Sequence, residues 1–367
     1  MENHEIYYRM ALSLVNGIGP VRYKKLISLY AAAENVFKQS LKSLKKSGVL
    51  SELNAEAVKS FNDFKTVEKE LKYAENNGIK ILCFDDNTYP PKLKNCVDSP
   101  VLLFQKGNAD LSNHRILSII GTRSFTEYGR KVCEELIEQL KPYNVVIASG
   151  LAYGIDIIAH KSCLRNSIPT IGVVAHGLDT LYPQAHIATA REMQENGALL
   201  SEYFSNTKLE KGNFPARNRI VAGISDATVV IETDIKGGSM ITADIAFSYN
   251  RDVFCFPGRS IDSKSAGCNY LIKKLKAQLI TGADDIASEL GWKTVLKQKQ
   301  VQKELFIEMT AEEKNIVAIL RQKENVHIDE LLMLSNLTNS QIAGAMLNLE
   351  MQNIINVMPG KMISLSN

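Results

Sequence analysis

From Arg115 onward the chain repeats one pattern: a run of four or five mostly apolar residues, a short loop carrying Gly, Ser or Thr, then a helical stretch. The runs fall at 116–120, 145–148, 170–174, 198–201, 227–231 and 253–256. Short apolar strands alternating with helices specify a parallel sheet covered on both faces. The pattern ends near residue 290, after Gln278-Leu-Ile-Thr and Ala283-Asp-Asp-Ile. The expected fold is α/β, with an extended Rossmann-like parallel sheet and helices on both faces.

At 367 residues the chain exceeds one ordinary core, so further domains are expected. Residues 1–65 read as a small helical domain, and 66–290 as the sheet domain, which opens with a charged amphipathic helix. In the first, Gly17-Ile-Gly19-Pro20 makes a helix-to-helix turn followed by Arg22, Lys24 and Lys25. Two readings stand: a helix-hairpin-helix holding a nucleic-acid phosphate, or a plain helical hairpin with solvated lysines. Residues 291–304 are a basic, glutamine-bearing linker. Residues 305–367 read as helices and a two-stranded ribbon turning at Pro359-Gly360, which resembles a winged helix. Thr310 and Glu313 form a capping-box pattern at its first helix. The supposed recognition helix carries Gln341, Asn348 and Glu350 but no Lys or Arg. That suits protein contact or packing better than phosphate binding.

A net charge of +3 and pI near 8.4 permit a polyanionic partner without demanding one. The six cysteines, at 83, 96, 133, 163, 255 and 268, form no C-x-x-C pair and no metal-ligand spacing. They read as reduced core residues, with no metal. The start, Met1-Glu-Asn-His-Glu5, lacks signal-peptide character. No run approaches the roughly 18 apolar residues of a membrane span. A cytoplasmic protein without membrane contact is expected.

In such a sheet, ligands sit beyond the carboxyl ends of the strands. Gly121-Thr122-Arg123, Ser149-Gly150, Gly177 and Gly237-Gly238-Ser239 all fall there and open helices. A glycine lets backbone amides approach an anion, and a helix N-terminus adds positive potential. The stretch Lys211-Gly-Asn-Phe214-Pro-Ala-Arg217-Asn218-Arg219-Ile220 adds charge to the same edge. Pro215 suits a helix's first turn, and Ile220, Val221 and Ile224 share a face that leaves Arg217 and Asn218 on another. A helix opening with this much positive charge opposes its own dipole, so an anion is expected beside it. Neither G-x-G-x-x-G nor a P-loop is present, and no cofactor is expected. Asp156, Asp179, Glu202, Glu232, Asp234, His160 and His176 are candidate enzyme groups, but no spacing marks an acid–base pair. Structural roles are expected instead: Asp156 at a helix start, Glu202 or Glu232 beside arginines, and both histidines packed. No catalytic residue is assigned.

Seven motifs now occur in order: Gly121-Thr-Arg123, Ser149-Gly-Leu-Ala-Tyr-Gly-Ile-Asp156, Gly177-Leu-Asp-x-x-Tyr-Pro183, Phe214-Pro-Ala-Arg-Asn-Arg219, Gly238-Ser-x-x-Thr-Ala243, Phe256-Pro-Gly258 and Gly267-Cys-Asn-x-Leu-Ile272. Together they closely resemble the DNA-processing protein A family (DprA, also called Smf). The resemblance implies a non-enzymatic, sequence-independent single-stranded DNA-binding mediator of natural transformation. Such a protein protects incoming strands, loads a RecA-type recombinase, and forms a homodimer through its central domain. Arg123 and Lys211 match the family's strand-binding cations, and Phe214 matches the ring that packs against DNA. The first motif departs from the common G-S-R to Gly-Thr-Arg and keeps the hydroxyl. The expected strand contacts are Gly121, Thr122, Arg123, Ser149, Gly150, Lys211, Phe214, Arg217, Asn218, Gly237, Gly238 and Ser239. Arg219 has the alternative of pairing with an acidic strand end. The main rival is a nucleotide-processing enzyme of the phosphoribohydrolase type, whose G-G-x-G-T-x-x-E loop is only half matched by Gly237-Gly-Ser-Met-Ile-Thr-Ala-Asp244. A second rival is a structural adaptor acting through the winged helix.

Overall fold

The computed structural model describes residues 2–112, 115–294, 309–323, 326–352, 354–358 and 361–365. The chain divides into two compact units, Met1–Val295 and Leu296–Asn367. Most of the expected linker and the start of the C-terminal domain at 305 lie outside the described residues. The Pro359-Gly360 turn does too.

In the first unit, strands β1 (Ile79–Cys83), β2 (Leu102–Gly107), β3 (Arg115–Ile120), β4 (Val145–Ser149), β5 (Thr170–Val173), β6 (Gly197–Ser201), β7 (Ala227–Val230), β8 (Asp252–Cys255) and β9 (Gln278–Leu279) build one sheet. Its order is β1-β2-β6-β5-β4-β3-β7-β8-β9. Every pair from β6 to β9 is parallel, as expected. β1 and β2 depart from this: they add an antiparallel edge, with β2 pairing to β6.

Alternation along the strands explains why both faces need helices. Ile116 and Ile120 of β3, Val146 and Ala148 of β4, and Val253 and Cys255 of β8 enter one core with Ile220, Ala243 and Leu271. Their neighbours Leu117, Ile119, Val145, Ile147 and Phe254 enter the opposite core with Leu136, Ile158 and Ile286. A strand buried on both faces keeps only the period-2 split between cores, not a polar face. The one buried hydroxyl on β3, Ser118, donates to the carbonyl of Val221 at 2.6 Å.

The N-terminal helices Glu2–Leu14, Pro20–Tyr30, Ala33–Lys38, Leu41–Lys46 and Glu52–Ser60 share a core around Leu12, Tyr23, Leu26 and Val36. They belong to the same compact unit as the sheet. In the hairpin, Gly17 has a φ of +80°, a left-handed value that favours glycine. Arg22 donates to the carbonyl of Gly17 at 3.0 Å, and Lys24 donates to Ser99 Oγ at 2.5 Å. Two of the three hairpin cations therefore serve the fold.

The second unit holds helices Ala311–Gln322, Ile328–Ser335 and Asn339–Met351. Its strands are β10 (Val326–His327), β11 (Ile355–Met358) and β12 (Met362–Leu365). The expected two-stranded ribbon is here a three-stranded antiparallel sheet, because β10 pairs with β12. The capping box forms: Glu313 N–H donates to Thr310 Oγ1 at 3.3 Å, and Thr310 N–H donates to Glu313 Oε2 at 2.9 Å. Gln341 caps its own helix by accepting from the N–H and hydroxyl of Thr338, which turns it to local use.

All six cysteines are buried and free. Among the described residues, no helix is long and apolar enough to cross a membrane.

Candidate nucleic-acid interface

The order of the strands locates the site. From β3 the chain moves outward through β4, β5 and β6, then returns to place β7, β8 and β9 on the other side of β3. The loops after β3 and β7 leave in opposite directions, and a crevice opens between them. It is a cleft of about 680 Å³ lined by Gly121, Thr122, Arg123, Gly150, Lys211, Phe214, Arg217, Asn218, Gly237, Gly238 and Ser239. Ser149 does not line it.

Two helices start at this cleft without help from their own side chains. Asn213–Ile224 follows Gly212, and Gly238–Ser248 follows Gly237; neither has a side-chain cap or a first-turn acid. The neighbouring helix Glu127–Leu140 has both, through Thr126 and Glu127. An uncapped, acid-free start leaves its amides and partial positive charge for an outside anion. Arg123 and Lys211 are both exposed beside these starts, and neither forms an ion pair among the described residues.

The aromatic part was only partly legible. Phe214 is half-buried, with the Arg123 guanidinium 5.8 Å from its ring centroid. Tyr182 meets it edge-on at 6.2 Å and is 48% exposed. Tyr182 appeared in the sequence only as a motif letter. Its role as a second ring follows from packing alone. His176 explains its position: Nδ1 donates to the Gly177 carbonyl at 2.8 Å, so Nε2 accepts the N–H of Tyr182 at 3.2 Å.

Four residues expected to contact a strand already have partners inside the protein. The Ser149 side chain is fully buried, and its hydroxyl donates to the Ile119 carbonyl at 2.6 Å. The Gly150 and Ala152 amides donate to Asp156 Oδ2 at 3.1 and 3.4 Å, so this loop already has an anion, the protein's own. Arg217 is 4% exposed; it donates to the carbonyls of Gly150, at 2.5 Å, and Val173, and to Asn218 Oδ1 at 3.2 Å. A Cβ on Gly150 would lie 2.7 Å from both Arg217 Nη atoms and from Asp156 Oδ2. Glycine is needed there for close approach of these two charges. Burial raises the pKa of Asp156 against the opposing pull of Arg217, and burial lowers that of Arg217 to about 10. Ser239 is also turned inward, donating to Thr233 Oγ1 at 2.7 Å, so only its backbone can serve the cleft.

Two of the acidic candidates, Glu202 and Glu232, have internal partners. Glu202 pairs with Arg219, each side chain 15% exposed, as expected for an acidic strand end. Glu232 differs from expectation: it accepts from the N–H and hydroxyl of Thr126, at 2.9 and 2.7 Å, rather than from an arginine. His160 is fully buried, with Nδ1 2.7 Å from Thr170 Oγ1. Burial pushes its pKa down to about 3, with His186 and Arg217 adding repulsion. The unfolded chain protonates histidine near pH 6.5, so below that pH protons favour unfolding until about pH 3. Stability from this residue is complete above pH 6.5 and is expected to fall by about 2 kcal/mol by pH 5. Urea midpoints across that range check this, and His160→Gln should flatten the slope.

Among the described residues, no cluster of three or more His, Cys, Asp or Glu side chains is arranged to hold a metal.

Comparison with known proteins agrees with the seven motifs. The model of the DNA recombination-mediator protein A family matches residues 80–291. The chain belongs to this family. Protein Smf of Synechocystis is 35% identical over 311 residues, covering 83% of this chain and 77% of its own length. The X-ray structure of DNA processing protein A from Streptococcus pneumoniae is 33% identical with a TM-score of 0.67, covering 78% of this chain and 98% of that one. DNA processing protein A from Helicobacter pylori, described for its single-stranded DNA binding mode, is 32% identical with a TM-score of 0.53. It covers 59% of this chain and 97% of its own.

Proposed function

We propose that this member of the family binds single-stranded DNA along the β3–β7 cleft irrespective of base sequence. The observation that carries the reading is one cleft joining two uncapped helix starts, the exposed cations Arg123 and Lys211, and the Phe214–Tyr182 ring pair. Amides and cations neutralise successive phosphates, while the rings offer faces to bases; neither act reads sequence. Thr122, Asn218 and the Gly237–Ser239 backbone border the same path. In the cell, the bound strand is protected and passed to a RecA-type recombinase, and the protein works as a cytoplasmic homodimer through its central domain. These steps rest on the family resemblance. Binding rather than catalysis is supported by the carboxylates: Asp156, Glu202 and Glu232 all serve internal donors.

Losing Arg123 or Lys211 to alanine should weaken binding to every sequence alike. Each loss should reduce the slope of log affinity against log salt by roughly 0.7. Gel-shift titrations with single and double strands at two salt concentrations test the reading. Equal affinity for the two DNA forms would count against it. Release of free base from nucleoside monophosphates would instead favour the phosphoribohydrolase reading.

A further inference from the structure

The helix Phe64–Asn76 carries a charge where its pattern calls for an apolar residue. Val67, Glu70 and Ala74 form its buried stripe, while Glu68 and Glu75 are exposed. Burying a carboxylate is costly unless hydrogen bonds compensate. Glu70 is 5% exposed and accepts the N–H of Ser205 at 2.9 Å; it also accepts the Ser205 hydroxyl. Ser205 lies six residues before Lys211.

The segment between them is bonded to itself. Thr207 returns its N–H and hydroxyl to the Phe204 carbonyl, and the Phe204 ring meets Phe104 edge-on at 5.3 Å. Asn213 Nδ2 donates to the Lys208 carbonyl at 3.3 Å, and Tyr203 Oη donates to the Asn213 carbonyl at 3.5 Å. Lys211 and Phe214 are thus carried on a stitched segment fastened at Ser205 to a helix outside the central sheet. A second link reaches the following helix, Asn213–Ile224: Lys24 holds the 96–99 loop, and the Asp98 carbonyl there accepts from Arg219.

We infer that Glu70 is a positioning residue for the strand site: its hold on Ser205 sets where Lys211 stands relative to Arg123. Glu70 touches no strand. It acts through the 203–213 segment, and the inference rests on the cleft being the strand site.

The test is a double-mutant cycle in the full chain, with oligo-dT titrated at two salt concentrations. Glu70→Ala should weaken binding about fivefold and lower the salt slope by roughly one phosphate contact, about 0.7. Glu70→Gln, whose carbonyl still accepts from Ser205, should stay within about twofold of wild type. In a Lys211→Ala background, Glu70→Ala should add less than about twofold, since the contact it positions is already gone. A general loss of stability would not move the salt slope by one contact. If Glu70→Ala and Lys211→Ala multiply independently, or Glu70→Ala binds as wild type while Lys211→Ala does not, the inference fails alone. If Lys211→Ala itself binds as wild type, the cleft reading fails with it. Should Glu70→Ala not fold, Ser205→Ala removes the hydroxyl half of the contact and is read in the same cycle.

Discussion

Arg217→Ala is expected to lower the unfolding free energy by about 3–5 kcal/mol, far more than any surface contact to DNA would explain. The side chain is buried and binds the carbonyls of Gly150 and Val173, at the ends of β4 and β5. Removing it strands two acceptors and leaves the Asp156 carboxylate without its opposing charge. Lysine should not restore stability, because its single nitrogen could at best serve the two carbonyls that Nη1 reaches and would leave the Asn218 Oδ1 contact of Nε unmade. Urea unfolding of Arg217→Ala, Arg217→Lys and Lys211→Ala separates the roles. The first two should lose stability, and the third, exposed at the cleft rim, should stay within about 0.5 kcal/mol of wild type. An unchanged midpoint in Arg217→Ala with lost DNA binding would return Arg217 to the strand contacts.

Phe214→Ala should cost about 1–3 kcal/mol of single-strand affinity, a loss of roughly five- to 150-fold. The ring is half-buried between the Arg123 guanidinium and Tyr182, so it has an open face and fixed neighbours. A ring held this way loses little freedom when a base stacks on it. Phe214→Trp should keep most of the affinity, and the salt slope of Phe214→Ala should match wild type because no phosphate contact is lost. An oligonucleotide lacking bases gives the sharper comparison: wild type and Phe214→Ala should bind it equally. A large difference on the abasic strand would mean that the ring orders the cleft rather than stacking.

The parallel sheet and its two cores were legible because both rest on local order: short apolar runs, alternating neighbours and intervening helices. The antiparallel pairing of β1 and β2 at its edge was not, since pairing β2 with β6 joins residues nearly a hundred positions apart. At the site the division is the same. The glycine-rich loops, the helix starting near Pro215, and the cations Arg123 and Lys211 could be read from residues adjacent in the chain. Whether a given amide or guanidinium serves a ligand or the fold could not. That answer depends on which loop lies opposite: Asp156 takes the Gly150 amide, Gly150 and Val173 take Arg217, and Glu70 takes Ser205. The sequence by itself determined the chemistry offered along the strand ends. Only the tertiary structure decided how much of it remains outside, because buried donors and charges must find partners and take those that packing brings within reach.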